Sequence, residues 1–242
     1  MVEEKTQPNA TPIQTVWVDE YEQIPDLLRL LESFVTRRGV FVSGAAHDPS
    51  PLGVDRMNNL SKRLGSEIIR RGFNLVSGFG VGIAEQTILG AYHAVYECQQ
   101  VQPADRVLIR PFPGNTPVAM RNVAFKRHRE DMISRVGAVV VISGNKDDGC
   151  GSHVASAGVE EEVSIALSMG KPVIPVGISG HVANSYWQQT MAKLAIFLPG
   201  LNGIKELTVL GDPLATNKQI TNAVSELLQH AQKASSARLT SG

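Results

Sequence analysis

The sequence predicts an α/β fold: a Rossmann-like, doubly wound parallel sheet with helices on both faces. Short apolar segments alternate with stretches of helical periodicity through most of the 242 residues, which is the pattern of βαβ units. The segment 138–142 (AVVVI) is apolar throughout, as expected for a strand buried in the middle of a parallel sheet. Several predicted strands end directly in polar or glycine-rich turns, and sheets of this class bind ligands at those ends.

The first third of the chain is expected to form a helix, a strand and a second helix. Apolar residues recur at helical spacing over 24–35, and 39–44 is a short apolar strand that ends in a turn. The segment 45–54 contains two prolines and is expected to be a loop. Asp55 is expected to cap a helix over 55–70, whose apolar residues fall on one face.

The middle of the chain repeats the alternation of strand and helix. The strand 73–77 leads into a glycine-rich turn at 78–82, and a helix is expected over 83–97. A third strand, 106–110, is closed by the prolines that follow it. A basic helix over 120–136 then precedes the apolar strand described above.

The last third completes the sheet. The polar, glycine-rich segment 143–156 is expected to be a loop, followed by a helix over 157–170 and a strand over 171–176. A Gly/Pro-rich connection separates the last two helices. These helices are predicted at 186–196 and 217–232, with flexible tails at 1–14 and 235–242 around a single domain at 15–234.

Composition excludes several classes of protein. Hydrophobic residues make up 43% of the chain, which is enough for a sizeable core, and 23 basic residues balance 23 acidic ones. A zero net charge argues against a general binder of nucleic acid or of a membrane surface. Cys98 and Cys150 have no paired spacing, so we expect a reducing compartment without a disulfide framework. The start of the chain is not a signal peptide, and no apolar run approaches a membrane span of roughly 20 residues, so we expect a soluble, cytoplasmic protein.

The residues that follow the predicted strands are expected to meet at one edge of the sheet. The turn at 78–82 has three glycines, which let the backbone approach a bulky group closely, and a helix opening near Ile83 would direct its N–H groups there. A phosphate suits such a place, although a tight turn without a ligand has the same pattern. The candidate ligand-binding residues at this edge are Ser43, Gly44, Ala45, Ser77, Gly78, Phe79, Gly80, Gly82, Arg110, Asn145 and Lys146.

Three cations can reach this edge: Arg110, Arg129 and Lys146. Arginine suits bidentate contact with a phosphate, and lysine acts as a point charge. Lys126 and Arg127 are interpreted as the solvated face of the basic helix. The acids at 160–162 suit the first turn of a helix, but acids beside a phosphate site can also bind ribose hydroxyls.

Other chemistries are poorly supported by the motifs. The histidines are scattered, so a metal site is not expected, and His153 is interpreted as a solvated loop residue. Cys150 lies between two glycines without an evident base beside it. The glycines at 78, 80 and 82, with Ile83 after them, do not form Gly-x-Gly-x-x-Gly, so we expect no nicotinamide cofactor and no cofactor of another kind.

Two blocks of the sequence resemble the SLOG superfamily. The stretch 76–84 (VSGFGVGIA) is similar to the glycine-rich stretch of Smf/DprA proteins. An arginine-bearing helix with 128–132 (HREDM), a strand, a glycine loop and 158–161 (GVEE) follow the order seen in the cytokinin-activating LOG enzymes. The loop itself departs from the LOG pattern Pro-Gly-Gly-x-Gly-Thr-x-x-Glu, because it reads SGNK at 143–146. That departure argues against LOG-type phosphoribohydrolase activity.

The resemblance is closer to the STALD branch, the SLOG domains associated with sirtuin or TIR domains in bacterial anti-phage systems such as Thoeris. The matching blocks lie within 39–190, in the same order and spacing. This resemblance implies a sensor that binds a cyclic ADP-ribose isomer made by a partner TIR protein, assembles as a homo-oligomer and controls an attached or partner effector. By position, Arg129, Lys146 and Glu161 match the ligand-binding residues of the family, and Gly158 opens the same block as Glu161. The choice of glutamate within 160–162 stays open.

The resemblance assigns hypothetical roles to these residues. Backbone N–H groups of Gly44 and of 78–82 would contact the diphosphate, Arg129 and Lys146 would neutralise it, Glu161 would hold a ribose hydroxyl and Phe79 would flank the base. One alternative is a LOG-like hydrolase of nucleoside monophosphates, in which Arg129 and Glu161 would be catalytic. A second is DprA-like binding of single-stranded DNA, which the neutral charge disfavours. No sirtuin or TIR domain is recognisable in the sequence, so an excised domain and a stand-alone member both remain open.

Overall fold

The computed structural model describes residues 19–98, 106–200 and 203–240. The chain divides into two compact units, one that ends at Phe34 and one that spans Val35–Gly242. A 3-10 turn, Tyr21–Gln23, precedes the first helix, α1 (Ile24–Arg38), which confirms the helix predicted at 24–35 and extends it by three residues. The tail predicted at 1–14 lies outside the described residues.

Six described strands form one sheet, and five of them are parallel. The order of the parallel strands is β3-β2-β1-β4-β6, and β5 pairs antiparallel with the far end of β4. The sheet confirms the predicted doubly wound architecture. The strands are β1 (Gly39–Ala46), β2 (Asn74–Ser77), β3 (Val107–Ile109), β4 (Ala138–Asp147), β5 (His153–Ala155) and β6 (Val173–Val176).

The helices follow the strands as the alternating pattern predicts. They are α2 (Val54–Arg70), α3 (Ala84–Glu97), α4 (Val118–Ser134), α5 (Ala157–Ser168), α6 (His181–Ala192), α7 (Leu194–Phe197), α8 (Ile204–Gly211) and α9 (Asn217–Thr240). Parallel crossovers are right-handed, and the direction of strand addition reverses after β3, so the later crossover helices cover the opposite face of the sheet. Accordingly, α2 packs on α3 and α9, whereas α4 packs on α5.

The core is centred on β4, as its apolar sequence predicts. This strand pairs with β1 on one side and with β6 on the other, and Val139–Ile142 are 0% exposed. The helix α2 buries Met57, Leu60, Leu64 and Ile68, which recur at helical spacing. Burial of each such side chain contributes about 1.5–3 kcal/mol of transfer free energy, so the alternation of elements is fixed mainly by these faces.

Several predicted boundaries are wrong. The loop predicted over 143–156 instead continues β4 to Asp147 and returns as β5, because Lys146 pairs with Val154 in an antiparallel register. Helix α8 occupies part of the predicted Gly/Pro-rich connection, and α6 begins five residues before the predicted 186. Asp55 lies inside α2 and Gly53 is the N-cap residue. The backbone of α9 remains helical to Thr240. The flexible tail expected at 235–242 stays a prediction.

Candidate functional site

The carboxyl ends of β1 and β4 lie side by side where the strand order reverses. From β1 the chain adds β2 and β3 on one side, and β4 and β6 on the other. Ser43 pairs with Val141 and Ala45 pairs with Ser143 in this register. Since the helices after β1 and β4 leave towards opposite faces, a crevice forms at this edge, and doubly wound sheets bind their ligands there.

Arg129, near the end of α4, is the charged centre of this edge. Its Nη1 donates a hydrogen bond to Oε2 of Glu161 at 2.6 Å, and its Nε lies 3.4 Å from Oε1 of Glu162. The guanidinium carbon lies 4.8 Å from the centroid of the Phe112 ring. The Arg129 side chain is 12% exposed. Two carboxylates and one aromatic face therefore hold the guanidinium in place.

Gly158 allows the start of α5 to approach that guanidinium. A Cβ added at Gly158 would lie 2.8 Å from Nη2 of Arg129, which is closer than ordinary contacts. The N-terminal end of a helix carries partial positive charge and favours an anion. The guanidinium favours an anion at the same place, and the carboxylate of Glu161 lies beside it in this structure.

Glu162 lies buried beside the Arg129–Glu161 pair and is 7% exposed. The hydroxyl of Ser43 donates a hydrogen bond to Oε2 of Glu162 at 2.5 Å. Burial raises the pKa of the Glu162 carboxyl, and this effect outweighs the opposing effects of the Ser43 hydrogen bond and the Arg129 charge. Glu162 therefore retains its proton to a higher pH than an exposed glutamate does.

The glycine-rich turn packs its own backbone against the end of β1. A Cβ at Gly80 would lie 2.2 Å from the carbonyl oxygen of Gly44, and one at Gly82 would lie 2.4 Å from that of Ala46. The N–H of Ala46 also donates to the carbonyl of Val81 at 3.0 Å. Packing within the chain thus requires two of the three glycines, independently of any ligand.

The rest of this turn presents one aromatic side chain to solvent. Phe79 is 55% exposed and has a φ of 65°, and its N–H donates to the Ser77 hydroxyl at 3.3 Å. Gly78 is buried, and a Cβ there would lie 3.2 Å from both Met132 and Phe112. The ligand contacts predicted for these residues remain predictions.

At the end of β4, Asn145 and Lys146 have different environments. Asn145 is 1% exposed; its Nδ2 donates to the Asp48 carbonyl at 2.7 Å and its Oδ1 accepts from the Asp48 N–H at 2.7 Å. These bonds tie β4 to the loop after β1, so the amide of Asn145 has a structural role. Lys146, next in the chain, is exposed and forms no ion pair with any residue in the described ranges.

Arg110 follows β3, as predicted, but its partner lies on another side of α4. Its guanidinium donates a hydrogen bond to the carboxylate of Asp131, which also accepts two hydrogen bonds from Arg135 at 3.0 Å. Residues two apart on a helix do not face each other, so Asp131 directs Arg110 away from the Arg129 cluster. The structure therefore groups Arg129, Glu161 and Ser43 and leaves Arg110 outside that group.

Comparison with known proteins places the chain in a family. The model of the Sir2- and TIR-associating SLOG family, STALD, matches residues 23–231. The chain belongs to the STALD family. This confirms the resemblance expected from the sequence blocks.

Curated relatives of this STALD chain are named NAD(+) hydrolase ThsA. The protein of Bacillus cereus (strain MSX-D12) is 29% identical over 219 residues, which is 90% of this chain and 45% of that protein. The protein of Cytobacillus dafuensis is 28% identical over 89% of this chain and 44% of its own length. The chain thus spans less than half the length of these relatives. The X-ray structure of TM1055 is similar over 62% of this chain and 80% of that chain, at 18% identity and a TM-score of 0.45.

Two residues of the candidate site were missed by the sequence interpretation. Glu161 was preferred among the acids at 160–162, with the choice left open, yet Glu162 falls on the buried face of α5 together with Val159, Val163 and Ala166. The helical spacing of these apolar residues would have identified it. Phe112 was treated only as part of the segment after β3, and no local pattern indicates that an arginine seventeen positions away in α4 lies over its ring.

The described residues also bear on metals and membranes. Among residues 19–98, 106–200 and 203–240, no group of three or more His, Cys, Asp or Glu side chains is arranged to hold a metal ion. His153 is exposed, and its ring lies 5.3 Å from that of His47. No helix within the same ranges has the length and apolar character needed to cross a bilayer.

Proposed function

We propose that this STALD chain is a nucleotide-signal sensor that binds a cyclic ADP-ribose isomer and controls an effector in bacterial anti-phage defence. The observation that carries the proposal is the preorganised guanidinium of Arg129 at the switch point of the sheet. Such a fixed, mostly buried cation beside a helix N-terminus suits a diphosphate. Its side chain is already ordered, so binding loses little side-chain entropy.

The roles of the other side chains follow from their positions. Lys146 is exposed at the end of β4 and would supply a second positive charge to the diphosphate. Glu161 is 36% exposed and would turn from Arg129 towards a ribose hydroxyl. The exposed ring of Phe79 would flank the base, and backbone N–H groups of Gly44 and the turn at 78–82 would border the diphosphate.

The relatives support the choice of nucleotide and system. They are named NAD(+) hydrolases, and the region similar to this chain covers 45% and 44% of two of them. In our proposal this region binds the signal, and an attached or partner effector acts on NAD(+). A TIR-domain protein of the same system would produce the signal, and a homo-oligomer would carry the response.

Calorimetric titration with a set of cyclic ADP-ribose isomers tests the proposal. We expect one isomer to bind the wild-type protein, and Arg129→Ala to weaken its affinity by about 100-fold, since it removes a charge-assisted contact that is mostly shielded from water. The matched control is Arg127→Ala, which removes an exposed cation from the same helix and should change affinity less than about threefold. Absence of binding by the wild-type protein to every isomer would refute the proposal.

A LOG-like hydrolase is the second candidate. The observation that favours it is the pairing of Arg129 with Glu161 next to Glu162, a carboxyl with a raised pKa, because glycosidic cleavage can use a carboxylic acid as a proton donor. Incubation with adenosine monophosphate and its N6-substituted derivatives distinguishes the two functions. Steady release of free base that Glu161→Gln and Glu162→Gln each abolish would establish the hydrolase, whereas binding without release agrees with a sensor.

A further inference from the structure

Glu162 is placed so that its protonation sets the charge of the proposed nucleotide site. Oε2 of Glu162 accepts a hydrogen bond from the Ser43 hydroxyl at 2.5 Å, and Oε1 lies 3.4 Å from Nε of Arg129. Its side chain is 9% exposed, so water screens its charge poorly. A change of charge on this carboxyl is therefore felt strongly by any group that approaches Arg129.

The charged and hydrogen-bonding groups around Glu162 come from three elements. Arg129 faces it from α4, the neutral hydroxyl of Ser43 faces it from β1, and Glu161 precedes it on α5. With Glu162 protonated, the positive Arg129 and the negative Glu161 cancel. With Glu162 ionised, the three side chains carry one net negative charge, which opposes the approach of a diphosphate.

We propose that Glu162 is a positioning residue that acts as a proton gate: the nucleotide binds when Glu162 carries a proton, and binding at higher pH takes up that proton from solvent. The inference rests on the proposed function, because it requires an anion at Arg129. Glu162 itself does not touch the ligand. It keeps Arg129 oriented through its neutral carboxyl, and its burial beside Ser43 disfavours the ionised form.

The gate predicts a defined dependence of affinity on pH. Below the pKa of Glu162 the affinity is constant, and above it the affinity falls by up to about tenfold per pH unit, because only the protonated fraction is competent. The raised pKa of Glu162 reflects its burial in the folded protein. The change of affinity with pH therefore arises from Glu162 and not from a titrating group of the nucleotide.

The test is titration of the cyclic ADP-ribose isomer that binds best, between about pH 5 and 9, with wild type, Glu162→Gln and Glu160→Gln. At neutral and higher pH, where both have buffering capacity, each titration is repeated in Hepes and in Tris, whose different ionisation enthalpies reveal proton uptake. Phosphate buffer is avoided because it would compete at Arg129. Glutamine keeps the size of Glu162 and mimics its neutral form. Glu160 is exposed on the same helix, so Glu160→Gln is the matched control.

We expect wild type and Glu160→Gln to weaken with pH and to take up as much as about one proton per site at the upper end. Glu162→Gln should bind at every pH with the affinity that wild type has at low pH, and its binding should take up no proton. Circular dichroism of each variant at each pH verifies that it is folded. A wild type that binds without proton uptake, or a Glu162→Gln that loses affinity equally at all pH values, overturns the gate and leaves the sensor function intact. No binding by wild type at any pH overturns both.

Discussion

The two walls of the switch-point crevice differ in what their residues are for. On the β2 side, Gly80 and Gly82 come within contact of the β1 backbone, so the glycines satisfy the packing of the chain itself. The β4 side instead contains an ion pair, Arg129 with Glu161, next to the buried carboxyl of Glu162. Packing of the chain does not require these polar groups. A glycine-rich turn is therefore a weak indicator of a ligand, whereas a fixed arginine between two acids is a stronger one.

The largest expected effect is a loss of stability at the glycine wall, which is the side of the crevice formed by Gly80 and Gly82. Gly80→Ala places a Cβ 2.2 Å from the backbone carbonyl of Gly44, which cannot move without disturbing β1. We expect the free energy of unfolding to fall by about 3 kcal/mol in urea denaturation. Gly114→Ala is the matched control, since a Cβ there meets nothing within 4 Å. Equal stability of the two variants would show that the turn is not packed as described.

The second prediction concerns Gly158, which lies in the charged wall, the side of the crevice formed by Arg129, Glu161 and Glu162. In Gly158→Ala the nearest atom to the new Cβ is Nη2 of Arg129, at 2.8 Å, which is the end of a side chain and not backbone, and alanine favours the helix. We expect stability to change by less than about 1 kcal/mol, while affinity for the cyclic nucleotide falls by about tenfold because the guanidinium is displaced. Denaturation and calorimetry on the same preparation measure both quantities. A large loss of stability with unchanged affinity would reverse the distinction between the two walls.

The third prediction is a dependence of stability on pH that arises from Glu162. Because its pKa is raised in the folded state, its contribution is fully present below the unfolded pKa of about 4.3 and is lost as pH rises through the folded value. The free energy of unfolding of wild type should fall, relative to Glu162→Gln, by up to about 1.4 kcal/mol per pH unit in that window. Parallel pH profiles of the two proteins would mean that Glu162 is ionised like an exposed acid. Glu160→Gln should follow the wild-type profile.

The smallest expected effect is at the aromatic support of Arg129. Phe112→Leu keeps most of the apolar volume but removes the ring that lies 4.8 Å from the guanidinium carbon. We expect affinity for the cyclic nucleotide to fall about threefold, in line with a cation–π contribution of about 0.5–1 kcal/mol. Phe125→Leu serves for comparison because that ring lies farther away, at 6.0 Å. A greater loss from Phe125→Leu would indicate that the guanidinium rests on the other ring.

Local sequence predicted the sheet because its strands are set by local apolar runs. The segment 138–142 could be identified as central β4 from its composition alone, and the α2 face followed from helical spacing. The β4–β5 hairpin was missed because β5 has only three residues and all of them are exposed, so no hydrophobic alternation marks it. Helix α8 was missed because glycines and prolines flank its short apolar face.

The candidate site was predictable only in part. Ser43, Arg129 and Glu161 were identified and are close together, but the burial of Glu162 depends on how α5 packs against β1 and α4. Arg110 was grouped with them because its strand ends at the same edge. Its actual direction depends on Asp131, a partner twenty-one residues away on another element. Position along a strand thus predicts the edge at which a residue lies, and tertiary packing determines the direction of its side chain.

A crystal structure of the protein with its best-binding cyclic ADP-ribose isomer tests the central claim most directly. We predict that a phosphate oxygen lies within hydrogen-bonding distance of the Arg129 guanidinium, about 2.7–2.9 Å, and that Glu161 contacts a ribose hydroxyl. A nucleotide bound elsewhere on the chain, with Arg129 still paired only with Glu161 and Glu162, would contradict the account.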